Sequence, residues 1–510
     1  MEKGKSSVIH PFAFAIFPVL FLYSHNVGEV LLVWIVVPAA IVLVSTFLLW
    51  LALSFLYRDK DKGGLLVSVF LVFFFSYGHF VGTIRDMAGG WREAHLWLLS
   101  VWTVFFVVIG YIVLRTRIRL ANMTKVLNVT SVCLVVFCVV NVVRFEIRAA
   151  GLREGASIER PEEFSSVSEV PTTRPNIYYI ILDAYVGNDV LKESFDFDNS
   201  WFLEQLSQKG FFVAGQSRSN YVRTFLSLSS SMNFQYLDEF AEQVGIESRD
   251  KKPTRNLLRN NRVFGFLKRY GYSIVAFPTG FQFTELRDVD VYMSGPIWSL
   301  DDFSGELLYN TPLAALVQLF TNQSFKDILH SRRILYSFDH LADTVEMEPP
   351  IFVFVHIACP HKPFVFDEDG LPAGASKGAG KTSTKDLYVG QVKYVNKRVI
   401  EFVDDLLEKS VQQPIIILQA DHGVRWRLDE QQPERDTPEI YKESFSILNA
   451  CYLPGCDYSQ LHDAISPVNT FRVVLNHYFG TEFELLKDES YFSTRARPYD
   501  FVNVTEEPNR

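Results

Sequence analysis

Apolar residues are spread unevenly along this chain. Before residue 148 they form near-continuous runs; after residue 173 they come in short bursts between polar segments. The runs at 30–57, 65–84, 96–114 and 126–143 are each long enough for the ~20 residues of helix that cross a bilayer. A fifth run, 11–23, contains Pro11 and Pro18 and leads into His25-Asn26. Together they predict five spans in a transmembrane region over residues 1–148. Runs so long and so poor in charge do not suit one globular core. No small-residue cleavage site follows the first of them, so a secretory signal is not expected.

The pattern changes at residues 149–172, a polar, acidic stretch with Pro161 and Pro171 that reads as a linker. Residues 173–510 then alternate two periodicities. Short β-branched runs at 176–182, 273–277, 351–357 and 414–419 predict buried strands. Helical spacing predicts helices over 386–409, 254–270 and 466–479, the last opening on Ser466 and Pro467. Alternating strands and helices imply an α/β domain with a largely parallel sheet. The Gly/Ala/Lys/Ser-rich stretch 370–385 reads as a surface loop. Its Gly380-Lys381-Thr382 resembles a phosphate loop, but five residues separate Gly374 from Gly380 where that motif needs four.

Charge adds an orientation. Arg58, Lys60 and Lys62 follow the second run, and Arg115, Arg117, Arg119 and Lys125 precede the fifth. The first and third inter-span loops carry no basic residues and two (Arg85, Arg92), respectively. Basic loops stay in the cytoplasm. With Lys3 and Lys5 at the start, five spans put the N-terminus inside and everything after Arg144 outside, whereas four spans would turn the latter to the cytoplasm. The net charge of −9 leaves no basic footprint, so nucleic acid is not an expected partner. Of the five cysteines, Cys133 and Cys138 fall in the last run. Cys451 and Cys456 flank a turn and either pair or remain free thiols.

Candidate chemistry gathers where predicted strands end, the usual place for sites in open α/β sheets. The first delivers Asp183. The strand 351–357 carries His356 and leads to His361 in Cys-Pro-His-Lys-Pro. The strand 414–419 leads to Asp421-His422-Gly423, a carboxylate beside an imidazole with a glycine to permit a tight turn. A hydroxyl-rich segment runs from Ser219 through Asn220, Tyr221 and Thr224 to Ser231. A helix beginning near Thr224 would present free N–H groups to an anion.

The order of these pieces (apolar strand–Asp, Asn-Tyr-x-x-Thr-x-x-Ser-Leu-x-Ser, His-x-Pro-Phe, Asp-His-Gly) resembles the alkaline phosphatase/sulfatase superfamily over about residues 174–480. The layout of spans followed by such a domain is similar to lipoteichoic acid synthases, phosphoglycerol transferases and phosphoethanolamine transferases. The resemblance implies an alkaline-phosphatase-like catalytic domain and a divalent ion held by Asp183, Thr224, Asp421 and His422. It implies Thr224 as nucleophile and His361 on the substrate phosphate or leaving group; His356 and Arg425 are further candidate substrate contacts. An imidazole in the set favours Mn or Zn over Mg; a second ion, with His356 as its nearest ligand, stays open beside a core-histidine role. The expected reaction moves a phosphoryl group from a lipid-linked donor to an envelope glycan or lipid, or to water. The alternatives are a phosphodiesterase, a sulfuric ester hydrolase or a non-catalytic pseudoenzyme. Two departures stand out. Asp183 replaces the Glu usual in the transferases, and the segment Thr224–Leu228 lacks the Cys/Ser, Pro and Arg of formylglycine sulfatases.

Overall fold

The computed structural model describes residues 7–118, 120–153, 174–294, 300–373, 383–428 and 437–507. They form two compact units: one contains residues 1–151 and 300–329, the other 152–299 and 330–510.

The first unit is helical. Helices α1 (His10–His25), α2 (Leu32–Tyr57), α3 (Lys60–Ala88), α4 (Trp91–Arg115) and α5 (Ala121–Arg153) follow one another. Four of them, α2 to α5, are long and apolar enough to cross a membrane. The expectation of five spans is therefore corrected. The first run makes a helix of 16 residues, or about 24 Å at 1.5 Å per residue, short of the ~30 Å hydrocarbon core. It packs against α2 and α3, and Asn128 of α5 accepts hydrogen bonds from the free N–H groups of Ile9 (3.0 Å) and His10 (2.8 Å).

With α1 set aside, the basic residues still fall in alternate loops of α2 to α5, the pattern that places the chain after α5 outside under the positive-inside rule. Arg58 and Lys60 lie between α2 and α3, and Arg115 and Arg117 between α4 and α5. The same end is tied together by Thr124 of α5 donating to Asp61 of α3 at 2.8 Å. The chain leaves α5 at the opposite end.

The second unit is built on a seven-stranded sheet. Its strands are β1 (Ile177–Leu182), β2 (Phe212–Val213), β3 (Ser273–Ala276), β4 (Val291–Tyr292), β5 (Ile351–Ile357), β6 (Ile415–Gln419) and β7 (Asn449–Tyr452), in the order β2-β7-β6-β1-β5-β3-β4. β1 runs parallel to both neighbours, pairing Leu182 with Ile357 of β5 and Ile181 with Gln419 of β6. β3 is parallel to β5 and β4, while β7 is antiparallel to β6 and β2 to β7. The predicted parallel core is thus present, with an antiparallel edge.

Strands with both faces covered need continuous apolar runs, and β1, β5 and β6 are buried at every position. Alternate residues serve opposite layers. Tyr178, Ile180 and Leu182 pack with Val392, Val399 and Phe402 of the helix Thr384–Lys409. Ile177, Tyr179 and Ile181 pack with Phe471 and Val474 of the helix Pro467–Phe479. The first of these helices starts on a capping box, Ser383 with Asp386.

Several details differ from the sequence reading. The single helix expected over 254–270 is two, Lys252–Arg259 and Arg262–Arg269. Asn261 separates them, its side chain accepting from Phe264 N at 2.8 Å and restarting the helix. Residues 149–153 of the expected linker continue α5; the rest of it lies outside the described residues, as do Gly380, Lys381 and Thr382. Cys451 and Cys456 are free thiols.

Candidate active site

Because β1, β5 and β6 are adjacent, parallel and in register, the residues leaving their carboxyl ends meet. Asp183 follows β1, His356 is the penultimate residue of β5, and Asp421-His422 follow β6. All four are buried. Asp183 Oδ2 lies 3.4 Å from His356 Nε2, and its Oδ1 lies 3.7 Å from His422 Nε2. His422 Nε2 is in turn 3.3 Å from Asp421 Oδ2 and 3.1 Å from Thr224 Oγ1.

The backbone holds these groups in place. Ala184 has φ +59°, a left-handed conformation that costs a non-glycine residue on the order of 1 kcal/mol or more. Its N–H donates to Asp421 Oδ1 at 3.2 Å, and His422 N donates to the same oxygen at 3.0 Å. The glycine of Asp-His-Gly serves a purpose other than the tight turn expected. A Cβ at Gly423 would lie 2.1 Å from Glu443 O, so the position is fixed by close backbone approach, with Gly423 N bonded to Ser444 O at 2.8 Å.

Thr224 is the first residue of the helix Thr224–Asn233, which is buried along its whole length. The Asn-Tyr of its motif are pins. Asn220 Oδ1 accepts from Val468 N, its amide donates to Ser466 Oγ and Glu489 O, and Tyr221 OH accepts from Leu237 N. The downstream hydroxyls are mostly engaged: Ser229 donates to Thr254 O, Ser230 to Gln235 O, and Ser231 meets Tyr179 OH. Ser227 Oγ is buried without a hydrogen-bond partner, one turn along from Thr224.

The electrostatics follow from burial and crowding. Burial alone would raise the Asp183 carboxyl, but His361, His356 and His422 hold it well below the usual carboxylate range. Burial lowers His422 to about 4, with Arg425 adding to that effect and Asp421 and Asp183 opposing it. Its imidazole is therefore neutral at pH 7. Since Nδ1 lies 2.7 Å from Gly423 O and must donate to it, Nε2 is a lone pair facing the Thr224 hydroxyl. His356 is moved the other way: burial lowers it, but Asp183 and Asp421 raise it further.

Three buried atoms here have no hydrogen-bond partner, namely Asp183 Oδ1, Asp421 Oδ2 and His356 Nε2. Unpaired buried charge is costly, and these residues present donor atoms within 4.8 Å of one another. Two carboxylates and an imidazole so arranged could hold a divalent metal ion. The spacings of 3.1, 3.3 and 3.7 Å around His422 Nε2 also match the ~3.3 Å between tetrahedral ligands at about 2.0 Å from an ion. Thr224, Asp183, Asp421 and His422 are thus brought together. His356 joins the carboxylates and does not sit in the apolar core.

The other candidates lie around this group. The His361 ring centroid is 6.3 Å from that of His422. The His361 loop is clamped by Gln391, which donates to His361 O and accepts from Val365 N and Phe366 N. Beside it, Lys362 Nζ lies 4.9 Å above the Trp426 ring. Arg425 lies close enough to His422 to lower its affinity for a proton.

Two neighbours escaped the sequence reading. His330 has its pKa lowered to about 3 by burial, with Arg333 and His361 adding to the effect. Thr284 Oγ1 lies 2.8 Å from His356 Nδ1. In the tautomer that leaves Nε2 free for an ion, Thr284 Oγ1 accepts from His356 Nδ1–H and gives its own proton to Thr279 Oγ1 (3.1 Å) or Phe281 O (3.3 Å). Fixing a ligand tautomer this way is worth roughly 10–100-fold in metal affinity. Thr284→Val should weaken binding of Zn or Mn by that factor in a chelator competition, and Thr284→Ser should restore it. Unchanged affinity in the valine variant would remove Thr284 from this role.

No known family matches the chain by sequence, and no curated protein does either. Solved structures do. The C-terminal periplasmic domain of EcEptC from Escherichia coli matches over 66% of this chain and 94% of that one, at 12% identity and a TM-score of 0.41. Its complex with Zn matches over 68% and 97%, at 11% identity and 0.42. The lipoteichoic acid synthase LtaP from Listeria monocytogenes matches over 69% and 84%, at 14% identity and 0.40.

Proposed function

We propose that this protein is a membrane-anchored, divalent-metal-dependent enzyme of phosphate esters, with Thr224 as nucleophile and its catalytic part, from about residue 173, outside the cytoplasm. The observation that carries the reading is the meeting of the Thr224 hydroxyl with two buried carboxylates and two imidazoles, among which Asp183 Oδ1, Asp421 Oδ2 and His356 Nε2 lack hydrogen-bond partners. Asp183, Asp421, His422 and the Thr224 oxygen would hold the ion, with His356, beside Asp183 Oδ2, as a further donor. An ion there would supply Lewis acidity, lowering the pKa of a hydroxyl and offsetting phosphoryl charge. Mn or Zn suits this donor set better than Mg.

The chain's own residues supply the rest. With its proton lost to solvent, the Thr224 oxygen attacks phosphorus; the new Thr224 O–P bond forms as the P–O bond to the leaving alcohol breaks, giving a phosphothreonine and an alkoxide. The start of the helix Thr224–Asn233 holds the Thr224 oxygen beside His422 Nε2 before attack. His361, at the rim of the group, protonates the leaving oxygen or steadies its charge. An acceptor hydroxyl or water then attacks the phosphothreonine and frees Thr224. The four long apolar helices favour a lipid-linked donor, and transfer to an envelope glycan or lipid over hydrolysis.

Turnover of a phosphodiester by purified full-length protein tests the reading. Activity should vanish on chelation and return with Mn or Zn. Persistent activity in a chelator that has removed all bound metal would overturn it. Orientation has its own test. A reporter fused after Arg148, at the end of α5 away from the basic loops, should be active only outside the cytoplasm; cytoplasmic activity would refute that placement.

A further inference from the structure

The sequence places residues 300–329 in the middle of the polar half of the chain, yet they belong to the same compact unit as the membrane helices. Two short helices make up most of this segment, Asp302–Tyr309 and Pro312–Thr321. The first packs on α1 and α2, burying Phe303 and Leu307 among Val19, Tyr23, Val30 and Ile35. The second packs on α3 and α4.

Polar contacts fix the segment at one end of the bundle. Gly78 of α3 donates its N–H to Asn310 O at 3.1 Å, and a Cβ there would lie 2.8 Å from Asn310 Cα. On α4, His95 Nε2 meets Gln318 Oε1 at 2.9 Å while its Nδ1 meets Tyr77 OH at 3.0 Å, and Arg92 donates to Asn322 at 2.9 Å. Ala315 is buried among Tyr77, Val81, Ala94, Leu98 and Trp102. These residues span the first three turns of α4, so the helix Pro312–Thr321 lies below the end of the bundle, beside its membrane-crossing part.

Its outer face is the informative one. The ten residues Pro-Leu-Ala-Ala-Leu-Val-Gln-Leu-Phe-Thr carry no charge. Ala314, Ala315 and Gln318 face the bundle, and the Thr321 hydroxyl is used on Val317 O at 2.7 Å. What points away is Leu313 (49% exposed), Leu316 (42%) and Phe320 (85%), spaced three and four apart on one helical stripe. A helix at a water boundary normally bears charge on such a face, and an apolar stripe there marks an interaction surface. Leu96, Trp97 and Val101 are exposed on α4 at the same depth as Ala315. The stripe therefore stands at the same depth as the apolar residues that α4 exposes. Arg85, stacked 5.1 Å from the Trp91 ring, marks the interfacial level just beyond.

We infer that Pro312–Thr321 is an embedded interfacial helix whose Leu313, Leu316 and Phe320 contact phospholipid acyl chains, giving the polar half of the chain its own attachment to the bilayer. The partner is the bilayer itself, because the surface stands at the depth of the apolar residues that α4 exposes, lacks charge and lies within the crossing part of α4. The inference stands independently of the reaction proposed above.

Photolabelling of the intact protein tests it. Wild-type protein is placed in phosphatidylcholine/phosphatidylglycerol nanodiscs containing a phosphatidylcholine with a diazirine near the head of one acyl chain. A parallel sample is exposed to aqueous hydroxyl radicals, and both are mapped by mass spectrometry. Carbene adducts on Leu313, Leu316 and Phe320 at yields like those on Leu96–Val101, with no oxidation of Phe320, are the expected result. Oxidation of Phe320 without lipid adducts means that water covers the face and overturns the inference. Labelling by neither probe, with α4 labelled normally, means that protein covers it and overturns it equally.

Discussion

Thr224→Ala should fold, bind metal nearly as well as the wild type, and lose turnover by roughly 10⁴-fold or more, as removal of a covalent nucleophile does. The fold should tolerate the change. Thr224 is the first residue of its helix, where alanine is acceptable, and the loss to His422 Nε2 is one hydrogen bond of about 1 kcal/mol. Ser227→Ala is the matching control, since Ser227 Oγ is the buried hydroxyl without a partner on the same helix. It should leave turnover within a few-fold of wild type, and Thr224→Ser should retain measurable activity. Intact-mass analysis after exposure to a slowly turned-over phosphodiester should find the added phosphoryl group on the peptide bearing Thr224. Near-normal turnover in the alanine variant, or label on Ser227, would end the case for Thr224.

Much of this arrangement was legible because the strands that carry it are buried on both faces. Such strands must be continuous apolar runs, so β1, β5 and β6 announced themselves, and the residue at which each run ends is where chemistry is exposed. The short edge strand β7, Asn449-Ala450-Cys451-Tyr452, gave no such signal, because an antiparallel edge needs neither length nor a continuous run. The hydrophobic spacing of 254–270 persisted across the Asn260-Asn261 break, so periodicity alone joined two helices that a cap divides. For the first apolar run, hydropathy exceeded length: 16 helical residues bury His10, Ala15 and Val19 against neighbouring helices.

Residue roles that depend on side-chain direction were beyond reach of the sequence. His356 occupies a strand position whose neighbours are all core, which made a packing role the plainer reading. Only the register of β1 against β5, pairing Ile181 with His356, shows that this imidazole borders Asp183. Thr284 lies in a loop after β3, 72 residues from His356, and no local pattern links the two. The helix Pro312–Thr321 carries no motif or charge in the sequence that sets it apart. It is its packing on α3 and α4 that turns an unremarkable apolar decapeptide into a surface needing lipid.

Asp421 provides the test of the metal site, and two substitutions divide its two duties. Its Oδ1 accepts from Ala184 N and His422 N, while Oδ2 is buried with no hydrogen-bond partner. Asp421→Ala removes both, stranding two buried N–H groups at about 1–3 kcal/mol each, so loss of activity there would be ambiguous. Asp421→Asn keeps an acceptor for the two N–H groups and removes the charge. It should therefore retain the fold yet lose bound metal and turnover together. Thermal unfolding reads this without any substrate. In the metal-free wild type, Asp183 and Asp421 are two buried carboxylates bordering one site, and an ion that binds only the folded state stabilises it by about 2.7 kcal/mol at a hundred times its Kd. The wild-type Tm should rise on adding Zn or Mn, whereas the Asn variant should show almost no rise from a starting Tm at or above that of the metal-free wild type, since one of two like charges is gone. A variant with full metal occupancy and the wild-type Tm response would place the ion away from Asp421.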